Sequence, residues 1–323
     1  MTIQQIYALA LSLGIANDLR PKAQVMRYLA RQKKKYEKLS PAEKKFFDTE
    51  RLTNPYPDTC VHYDNGVKSV KRVMAGIDID TAELALARTI SDQSRKKPID
   101  LVIAHHPVGK GLTGLDAVMD LQVDVLAQYG VPITIAEKIL HKRIAEVSRG
   151  VDPVNHFKAV DAARLLNVNY ICTHTIADNM VATFLKKKIE KDQPEYVGDV
   201  IASLMEIPEY QMAKKQGAGP RLFAGAEENR AGRVAVTEIT GGTEGSPEIY
   251  ERMAQAGVGT VIAMHQSEEH RKQAEKAHIN VVIAGHMSSD SIGMNLFLDE
   301  LEKRGVEIVP CSGLIRHSRV KKK

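Results

Sequence analysis

The sequence predicts an α/β fold of two similar lobes, with mixed, largely parallel sheets and a metal site in the cleft between them. Two segments with a strand–helix–strand pattern, at 72–105 and 233–265, are typical of βαβ units, whose two strands run parallel. Four stretches that resemble buried strands run directly into histidine, at 101–106, 169–174, 260–265 and 281–286. Because α/β sheets place ligand sites beyond the carboxyl ends of their strands, these histidines are positioned to converge.

The composition agrees with a folded protein of this kind. The chain has 323 residues, of which 43% are hydrophobic, and this is enough for two lobes or one large α/β domain. Its three cysteines are widely spaced and form no Cys-x-x-Cys motif, as expected in a reducing cytoplasm. The apolar stretch at 6–16 is preceded by no basic residue and is too short to cross a bilayer. We therefore expect a cytoplasmic protein without membrane contact.

The net charge of +5 comes largely from a basic run at 31–46 and from lysines at 321–323. One interpretation is a nucleic-acid-associated factor that uses residues 31–46. The other is a solvated helix face and a frayed tail, since charge blocks of this length are common on surfaces. Aromatic residues make up only 5% of the chain, which disfavours base stacking. We favour the second interpretation and expect no nucleic-acid partner.

The helices and strands of the first half are predicted from helix-breaking and capping residues and from the periodicity of hydrophobic residues. Residues 1–50 predict helices that break near Asn17-Asp18 and at Ser40-Pro41. A strand at 72–78 precedes a helix that runs from an N-cap at Thr81 to about Ser91, and the next strand is 101–104. The remaining segments are a helix at 123–130, a strand-like run at 131–135, a helix at 159–166 and a strand at 168–172.

In the second half, a helix at 197–205 lies in a less regular region, which we take as the boundary between lobes. The later elements are a strand at 233–239, a Gly-rich turn at 241–247, a helix at 248–256, a strand at 259–264 and a helix at 292–303. The predicted domains are 1–195, a lobe with a helical N-terminal extension, and 196–290, the second lobe. Residues 291–323 are free to return to the first lobe.

His105-His106-Pro107 directly follows a strand of four apolar residues. Consecutive strand residues point to opposite faces, so both rings reach one cavity only if the chain turns at that point. Pro107 ends the hydrogen-bonded ladder and restricts the backbone of His106. The motif therefore allows a metal site, or simply one core histidine beside one exposed histidine.

Two further strands are each followed by a histidine and, four residues later, by an aspartate: His174 with Asp178, and His286 with Asp290. Residues four apart share a face if a helix begins there. An imidazole beside a carboxylate suits Zn, Mn, Fe or Co, and the carboxylate can bridge two ions. The alternative is that both aspartates only serve the start of a helix.

His265 follows the fourth strand, in a segment that also contains Glu268 and His270. Either His265 or Glu268 could transfer protons at a nearby site, and His270 is the weaker candidate. The turn at 241–247 could bind phosphate at the start of its helix, or it could be an ordinary strand-to-helix loop. It matches neither the P-loop nor the dinucleotide fingerprint, and the chain has no Gly-x-Ser-x-Gly elbow.

The order of these motifs (His-His-Pro, then His-Thr-x-x-Asp, then Gly-His with an acid four residues on) resembles the Ngg-one-interacting-factor-three-like family, often labelled GTP cyclohydrolase I type 2 homologues. The similarity covers residues 60–110, 165–190 and 232–310. It implies two α/β lobes, a dinuclear centre of divalent Zn, Mn or Fe between them, and a ring-shaped homo-hexamer. The implied metal ligands are His105, His106, Asp178, His286 and Asp290, with His174 as a ligand or as the partner of one.

The chain departs from the family pattern at two positions. The family's usual final acid is Glu, and here it is Asp290; the usual Tyr after Gly-His is Met287. Because Asp is one methylene shorter, three alternatives stay open at Asp290: direct ligation, ligation through a water, or one weakened metal position.

The resulting functional hypothesis is a metal-dependent hydrolase of a nucleotide-like or phosphate-bearing small molecule, in which the ions activate a bridging water and His265 or Glu268 moves protons. The alternative is a non-catalytic metal-binding protein, namely a metallochaperone, a metal store or a regulatory interaction scaffold. A site closed by protein ligands favours the alternative, and an open coordination position favours catalysis.

Overall fold

The computed structural model describes residues 1–321, which contain two β-sheets packed among helices. The first sheet has five strands and the second has four. In chain order, the strands are β1 (Thr59–Tyr63), β2 (Arg72–Gly76), β3 (Leu101–Ala104), β4 (Tyr170–Thr173), β5 (Arg221–Ala224), β6 (Arg233–Glu238), β7 (Val258–Ala263), β8 (Asn280–Ile283) and β9 (Glu307–Cys311).

The two sheets share one topology. The first has the order β1-β4-β3-β2-β9 and the second β5-β8-β7-β6. In each, the first strand in sequence pairs antiparallel with the fourth, and the next three strands run parallel. β9 then adds to the first sheet, parallel to β2. The predicted α/β class with two similar lobes and mixed, largely parallel sheets is confirmed, whereas the limits of the two domains stay a prediction.

Helices cover both sheets and connect their strands. They are α1 (Ile3–Ala16), α2 (Lys22–Lys38), α3 (Pro41–Lys44), α4 (Thr81–Gln93), α5 (Gly109–Thr113), α6 (Leu115–Val118), α7 (Asp120–Gln128), α8 (Ile133–Val151), α9 (Lys158–Leu166), α10 (His174–Asp192), α11 (Val197–Met205), α12 (Pro208–Lys215), α13 (Ile249–Gln255), α14 (Glu268–Lys276) and α15 (His286–Glu302). A short 3₁₀ turn occupies Thr49–Leu52.

Helices α10 and α15 are equivalent in the two lobes, because each begins directly after the fourth strand of its sheet. They pack against each other, and most of their N-terminal halves are buried. Their backbones meet at Gly293, where an added Cβ atom would overlap the carbonyl oxygen of Ala177. This close crossing brings the first turns of both helices to one place.

Two predictions about helices are corrected by the structure. The strand-like run at 131–135 contains the start of α8, because burial of Ala136 and Leu140, four residues apart on one helical face, outweighs the local β-propensity. Pro132 immediately precedes this helix, at a position where a backbone N–H would have no acceptor within the helix, so its absence costs no hydrogen bond. The helix expected at 292 begins six residues earlier, so that it includes His286 and Asp290.

The cap of α4 is Asp80 rather than Thr81. The Asp80 carboxylate accepts from the N–H of Thr81, and Glu83 accepts from the N–H of Asp80, so the two acids form a capping box. Thr81 is the first residue of the helix. Among the strands, β1, β5 and β9 were not predicted individually, and all three lie at sheet edges.

The basic run at 31–46 lies on the second half of α2 and on α3, and Lys33, Lys34 and Lys35 are all exposed. Of the terminal lysines, 322 and 323 lie outside the described residues. Within residues 1–321, no helix combines the length and apolar character that a membrane crossing requires.

Candidate metal centre

The chain turns directly after β3, and this turn aims two consecutive histidines at one cleft. The N–H of His105 donates to the carbonyl of Gly76, and the N–H of His106 donates to that of Ile77, each at 3.0 Å. The two ring centroids are 5.1 Å apart, and His105 is only 1% exposed. The pair is therefore not one core histidine beside one facing solvent.

The N-terminal ends of α10 and α15 place two carboxylates, one from the fifth residue of each helix, against these imidazoles. Asp290 lies at the centre: its Oδ1 is 3.4 Å from Nε2 of His105, and its Oδ2 is 3.3 Å from Nε2 of His106. The same Oδ2 is 3.6 Å from Nε2 of His286. Oδ1 of Asp178 is 3.3 Å from Nε2 of His105. The shorter side chain at 290 therefore still reaches three imidazoles.

This donor set fits a metal ion. Two ligand atoms on one tetrahedral Zn²⁺, each about 2.1 Å from the ion, are separated by about 3.4 Å. The spacings between Asp290 and the nitrogens of His105 and His106 match that value. Within residues 1–321, both oxygens of Asp290 and Oδ1 of Asp178 are buried without a hydrogen-bond partner. Three triads have ligand atoms within 4.8 Å of one another: His105, His106 and His174; His106, His286 and Asp290; and His105, Asp178 and Asp290.

The electrostatics of the cluster also favour a bound cation. Burial raises the pKa of Asp178, and the nearby carboxylate of Asp290 adds to this shift. Burial works in the same direction on Asp290, but the facing imidazoles of His105 and His106 outweigh it and hold its pKa well below the ordinary value. Burial lowers the pKa of His105 to about 4, so its ring is neutral near pH 7 and able to bind metal.

Two acids outside the predicted set orient the histidines. Oδ2 of fully buried Asp58 accepts from Nδ1–H of His174 at 2.7 Å and from the hydroxyl of Thr175 at 2.6 Å. Oδ1 of Asp78 is 2.7 Å from Nδ1 of His106. Metal-binding histidines commonly donate their second N–H to a carboxylate, which fixes the tautomer and the ring. Both acids were missed, although Asp78 ends the strand predicted at 72–78.

The second lobe contributes a histidine–carboxylate pair at the rim of the cluster. The ring of His265, just after β7, lies 4.8 Å from that of His286, and its Nδ1 is 3.3 Å from Oε2 of Glu244. Hydrogen bonding between the two raises the pKa of His265 and lowers that of Glu244. Glu268, in contrast, is exposed on the first turn of α14 and pairs with Arg271. The acid beside His265 is therefore Glu244.

The Gly-rich segment at 241–247 is a clamped loop that carries Glu244. Nε2 of Gln122, from α7, donates to the carbonyls of Gly241 at 2.8 Å and Thr243 at 2.6 Å. Gly241 has φ +98°, and an added Cβ would lie 2.6 Å from Cγ of Gln122. His270 is buried and supports the same loop, since its Nε2 donates to the carbonyl of Gly245 at 3.0 Å. The loop thus holds Glu244 in place.

The cleft between the lobes is small, with a volume of about 40 Å³. The residues that line it come from both lobes and include His105, His174, Asp178, Glu244, His265, His286 and Asp290.

Comparison with solved structures identifies the family. The chain superposes on a NIF3 superfamily protein from Sphaerobacter thermophilus with a TM-score of 0.66 and 29% sequence identity, covering 80% of this chain and 92% of that one. The chain is a divergent member of the NIF3 superfamily. This is the family that the histidine motifs indicated, so the resemblance found in the sequence is confirmed.

Other solved structures are more distant from this chain. Reduced HcgD from Methanocaldococcus jannaschii is 15% identical over 83% of this chain and 94% of that one, with a TM-score of 0.49. A Bacillus cereus protein related to NIF3 is 10% identical over 82% and 93%, with a TM-score of 0.39. Family membership rests on the Sphaerobacter protein alone. No protein-family model matches the sequence, and no curated protein is significantly similar to it.

In this NIF3 superfamily member, all six residues predicted as metal ligands lie within one cluster: His105, His106, His174, Asp178, His286 and Asp290. Of the two predicted proton-transfer residues, His265 lines the cleft and Glu268 does not. The buried His/Asp groups could hold a metal ion; the identity and number of ions belong to the proposal below.

Proposed function

We propose that this chain is a metal-dependent hydrolase that binds two divalent ions, Zn, Mn or Fe, and acts on a nucleotide-like or phosphate-bearing metabolite. The observation that carries the proposal is the position of Asp290. Its two oxygens face different histidines, Oδ1 towards His105 and Oδ2 towards His106 and His286, and neither has a hydrogen-bond partner among the described residues.

The ligands divide into two sets around that carboxylate. One set is His105, Asp178 and Oδ1 of Asp290, and the other is His106, His286 and Oδ2 of Asp290. Each set corresponds to a triad whose donor atoms lie within 4.8 Å of one another. His174 lies beside the first set, 3.9 Å from Oδ2 of Asp178, and is oriented by Asp58. We assign it as a ligand or as the hydrogen-bond partner of one.

Two bound divalent ions would polarise the scissile group and bring the pKa of a shared water towards neutrality. The residues at the rim then supply proton transfer. With Nδ1–H of His265 directed at Glu244, its Nε2 is the atom that accepts or returns the proton. We therefore assign the supporting role to Glu244, because Glu268 points to solvent and is occupied by Arg271.

The small volume of the cleft limits how a substrate can bind. With a volume of about 40 Å³, the cleft takes in only a small part of a nucleotide-sized molecule, and Gly242 and Thr243 are among the residues that line it. The same small volume favours the alternative function, a non-catalytic metallochaperone, metal store or regulatory scaffold. Measured turnover of a substrate distinguishes the hydrolase from the non-catalytic metal-binding protein.

The decisive experiment combines metal content with a substrate screen. Protein purified without tag or chelator is analysed by elemental mass spectrometry, then incubated with phosphoesters and cyclic amides. Two ions per chain, with hydrolysis that is lost in His265→Ala while both ions stay bound, would support the hydrolase. Two ions without turnover would favour the non-catalytic alternative. No metal, even after reconstitution with Zn, Mn or Fe, would contradict both.

The assembly is a separate part of the proposal. By resemblance to the family we infer a ring-shaped homo-hexamer. Light scattering of the full chain measures the mass directly, and a monomeric mass at micromolar concentration would contradict this inference.

Removing the carboxylate behind His174 is expected to weaken metal binding without unfolding the protein. Asp58→Ala deletes the acceptor that fixes the His174 ring, and loss of such partners typically lowers metal affinity by roughly 10–100-fold. Asp58→Asn should have a smaller effect, because the amide oxygen still accepts from Nδ1–H. The measurement is zinc titration by calorimetry. Asp64→Asn, at an exposed turn, is the control, and equal affinities in Asp58→Ala and Asp64→Asn would refute the role of Asp58.

The proton-transfer pair has its own test. Because Glu244 raises the pKa of His265, Glu244→Gln is expected to lower that pKa towards or below the ordinary value. A general base that must be deprotonated would then work down to lower pH. The pKa is measured by NMR titration of the His265 ring, with Glu268→Gln as the matched control. A shift in Glu268→Gln but not in Glu244→Gln would restore Glu268 as the partner.

A further inference from the structure

Two cysteines face each other across neighbouring strands of the first sheet. Cys60 in β1 pairs directly with Cys172 in the antiparallel β4. Directly opposed residues of an antiparallel pair have Cα atoms about 4.5–5.5 Å apart and side chains on the same face. The pairing is regular from Thr59 to Val61, and the register shifts only beyond Val61, where Tyr63 pairs with Tyr170. A disulfide needs Cα atoms about 4.4–6.8 Å apart, so the backbone spacing suits one.

The thiol of Cys172 contacts the histidine cluster, whereas that of Cys60 lies against the ring of His62, 3.7 Å from its Nδ1. Sγ–H of Cys172 donates to the carbonyl oxygen of His105 at 3.1 Å, and Cys172 precedes His174 by two residues on the same strand end. Cys60 follows Asp58, the acid that orients His174, by two residues. A bond between the two sulfurs would therefore act on both sides of the Asp58–His174 contact.

We propose that Cys60 and Cys172 form a reversible disulfide that lowers the affinity of the neighbouring site for divalent metal. The bond itself is independent of the proposed function, whereas its effect on metal rests on that function. Forming it removes the thiol hydrogen bond to His105 and ties β1 to β4 immediately before His174.

The reaction is an ordinary thiol–disulfide exchange with a low-molecular-weight disulfide, such as oxidised glutathione, as the oxidant. One cysteine thiolate attacks a glutathione sulfur, forming a mixed disulfide and releasing one glutathione thiolate. The second cysteine thiolate then attacks the protein sulfur of the mixed disulfide and releases the second glutathione thiolate. Two protein thiols are oxidised, one glutathione disulfide is reduced, and the two thiol protons leave to solvent or to the released thiolates.

Burial controls when this exchange occurs. Both cysteines are buried, so neither sulfur is accessible to glutathione in the closed structure. Because β1 is an edge strand, its local opening is the step that exposes both sulfurs. A metal ion held by the cluster would oppose that opening, so metal binding and oxidation would oppose each other by linkage.

The third cysteine is an internal control. Cys311 lies in β9, at the opposite edge of the same sheet, with β3 and β2 between β4 and β9. At about 4.8 Å per strand spacing it is roughly 14 Å from the Cys172 strand, too far to form a disulfide without rearrangement.

The first test counts thiols and maps the link. The full chain is equilibrated in glutathione buffers of increasing oxidised fraction, alkylated, and digested for mass spectrometry. We expect the three free thiols of the wild type to fall to one and the two of Cys311→Ser to fall to none, with a Cys60–Cys172 linked peptide in both. In Cys172→Ala the link is absent. Persistence of free Cys60 and Cys172 after Cys311 has been glutathionylated would overturn the proposal, as would a link to Cys311 or between chains.

The second test measures zinc affinity by calorimetry in the reduced, oxidised and re-reduced states. We expect roughly 10-fold weaker binding on oxidation, recovered with reductant and absent in Cys60→Ala. Formation of the disulfide with unchanged zinc affinity would overturn the coupling. Failure of the reduced chain to bind zinc, manganese or iron would instead contradict the proposed function, while the mapped peptide would still decide whether the disulfide forms.

Discussion

Asp290→Asn is expected to abolish metal binding at both proposed positions. Replacement of any one histidine, in contrast, should lower metal occupancy mainly at one of them. The two proposed ligand sets share only this carboxylate, and its oxygens face His105 on one side and His106 with His286 on the other. The amide keeps the shape but loses the negative charge and offers a single acceptor oxygen. Since removal of outer partners alone lowers metal affinity by roughly 10–100-fold, we expect a loss of more than about 100-fold. Elemental mass spectrometry and zinc calorimetry measure it.

Two matched variants make this experiment specific. Asp299→Asn changes another buried acid of α15, one that pairs with Arg316 away from the cluster, and should retain all metal. His286→Ala should lose one ion and keep the other. Equal metal content in Asp290→Asn and His286→Ala would show that Asp290 serves one ion only, and full occupancy in Asp290→Asn would refute its assignment as a ligand.

The arrangement of the histidines could be predicted because it follows from local rules. Each of the four strand-like runs ends at a histidine, and parallel strands present their carboxyl ends at one edge of the sheet. The spacing of four residues puts a histidine and an aspartate on one face of a helix. At 174 and 286 the helix begins on the histidine itself, so both residues enter the cleft.

The acids that support these histidines could not be predicted from local rules. Asp58 reaches His174 across 116 residues of chain, and Asp78 reaches His106 from the segment that follows the neighbouring strand β2. Proximity in sequence made Glu268 a candidate partner for His265, yet Glu244 is the carboxylate beside that ring. The position of Glu244 depends on the loop held by Gln122, which belongs to a different part of the chain. Such contacts are set by packing.

The matching strand orders explain why the site is nearly, but not fully, symmetric. The end of the third strand of each sheet supplies a histidine, His105 or His265, and the helix after the fourth supplies a histidine and an aspartate. The lobes differ after the third strand, where the first has a second histidine, His106, and the second places His265 against Glu244. We infer that the first lobe is built mainly for binding metal and the second also for moving protons.

Outside the proposed metal ligands, we expect the fold to be most sensitive to substitution at the close crossing of α10 and α15. Gly293→Ala would place a methyl group against the carbonyl oxygen of Ala177, which is backbone and cannot rotate away. Overpacking of this kind typically costs about 1–3 kcal/mol and occasionally more, and we expect about 3 kcal/mol here. Urea denaturation of the metal-free protein measures the change in free energy of unfolding.

Gly150→Ala is the matched control, and we expect it to have the opposite effect on the free energy of unfolding. Gly150 lies in α8 with no atom within 4 Å of an added Cβ, so alanine there should stabilise the protein by about 0.5–1 kcal/mol.

Because Ala177 precedes Asp178 directly and Gly293 follows Asp290 by three residues, separating the helices should also pull the two carboxylates apart. We therefore expect Gly293→Ala to lose metal and Gly150→Ala to retain it. A Gly293→Ala protein as stable as Gly150→Ala would show that the crossing can relax, and full metal content in it would show that the carboxylates do not depend on the crossing.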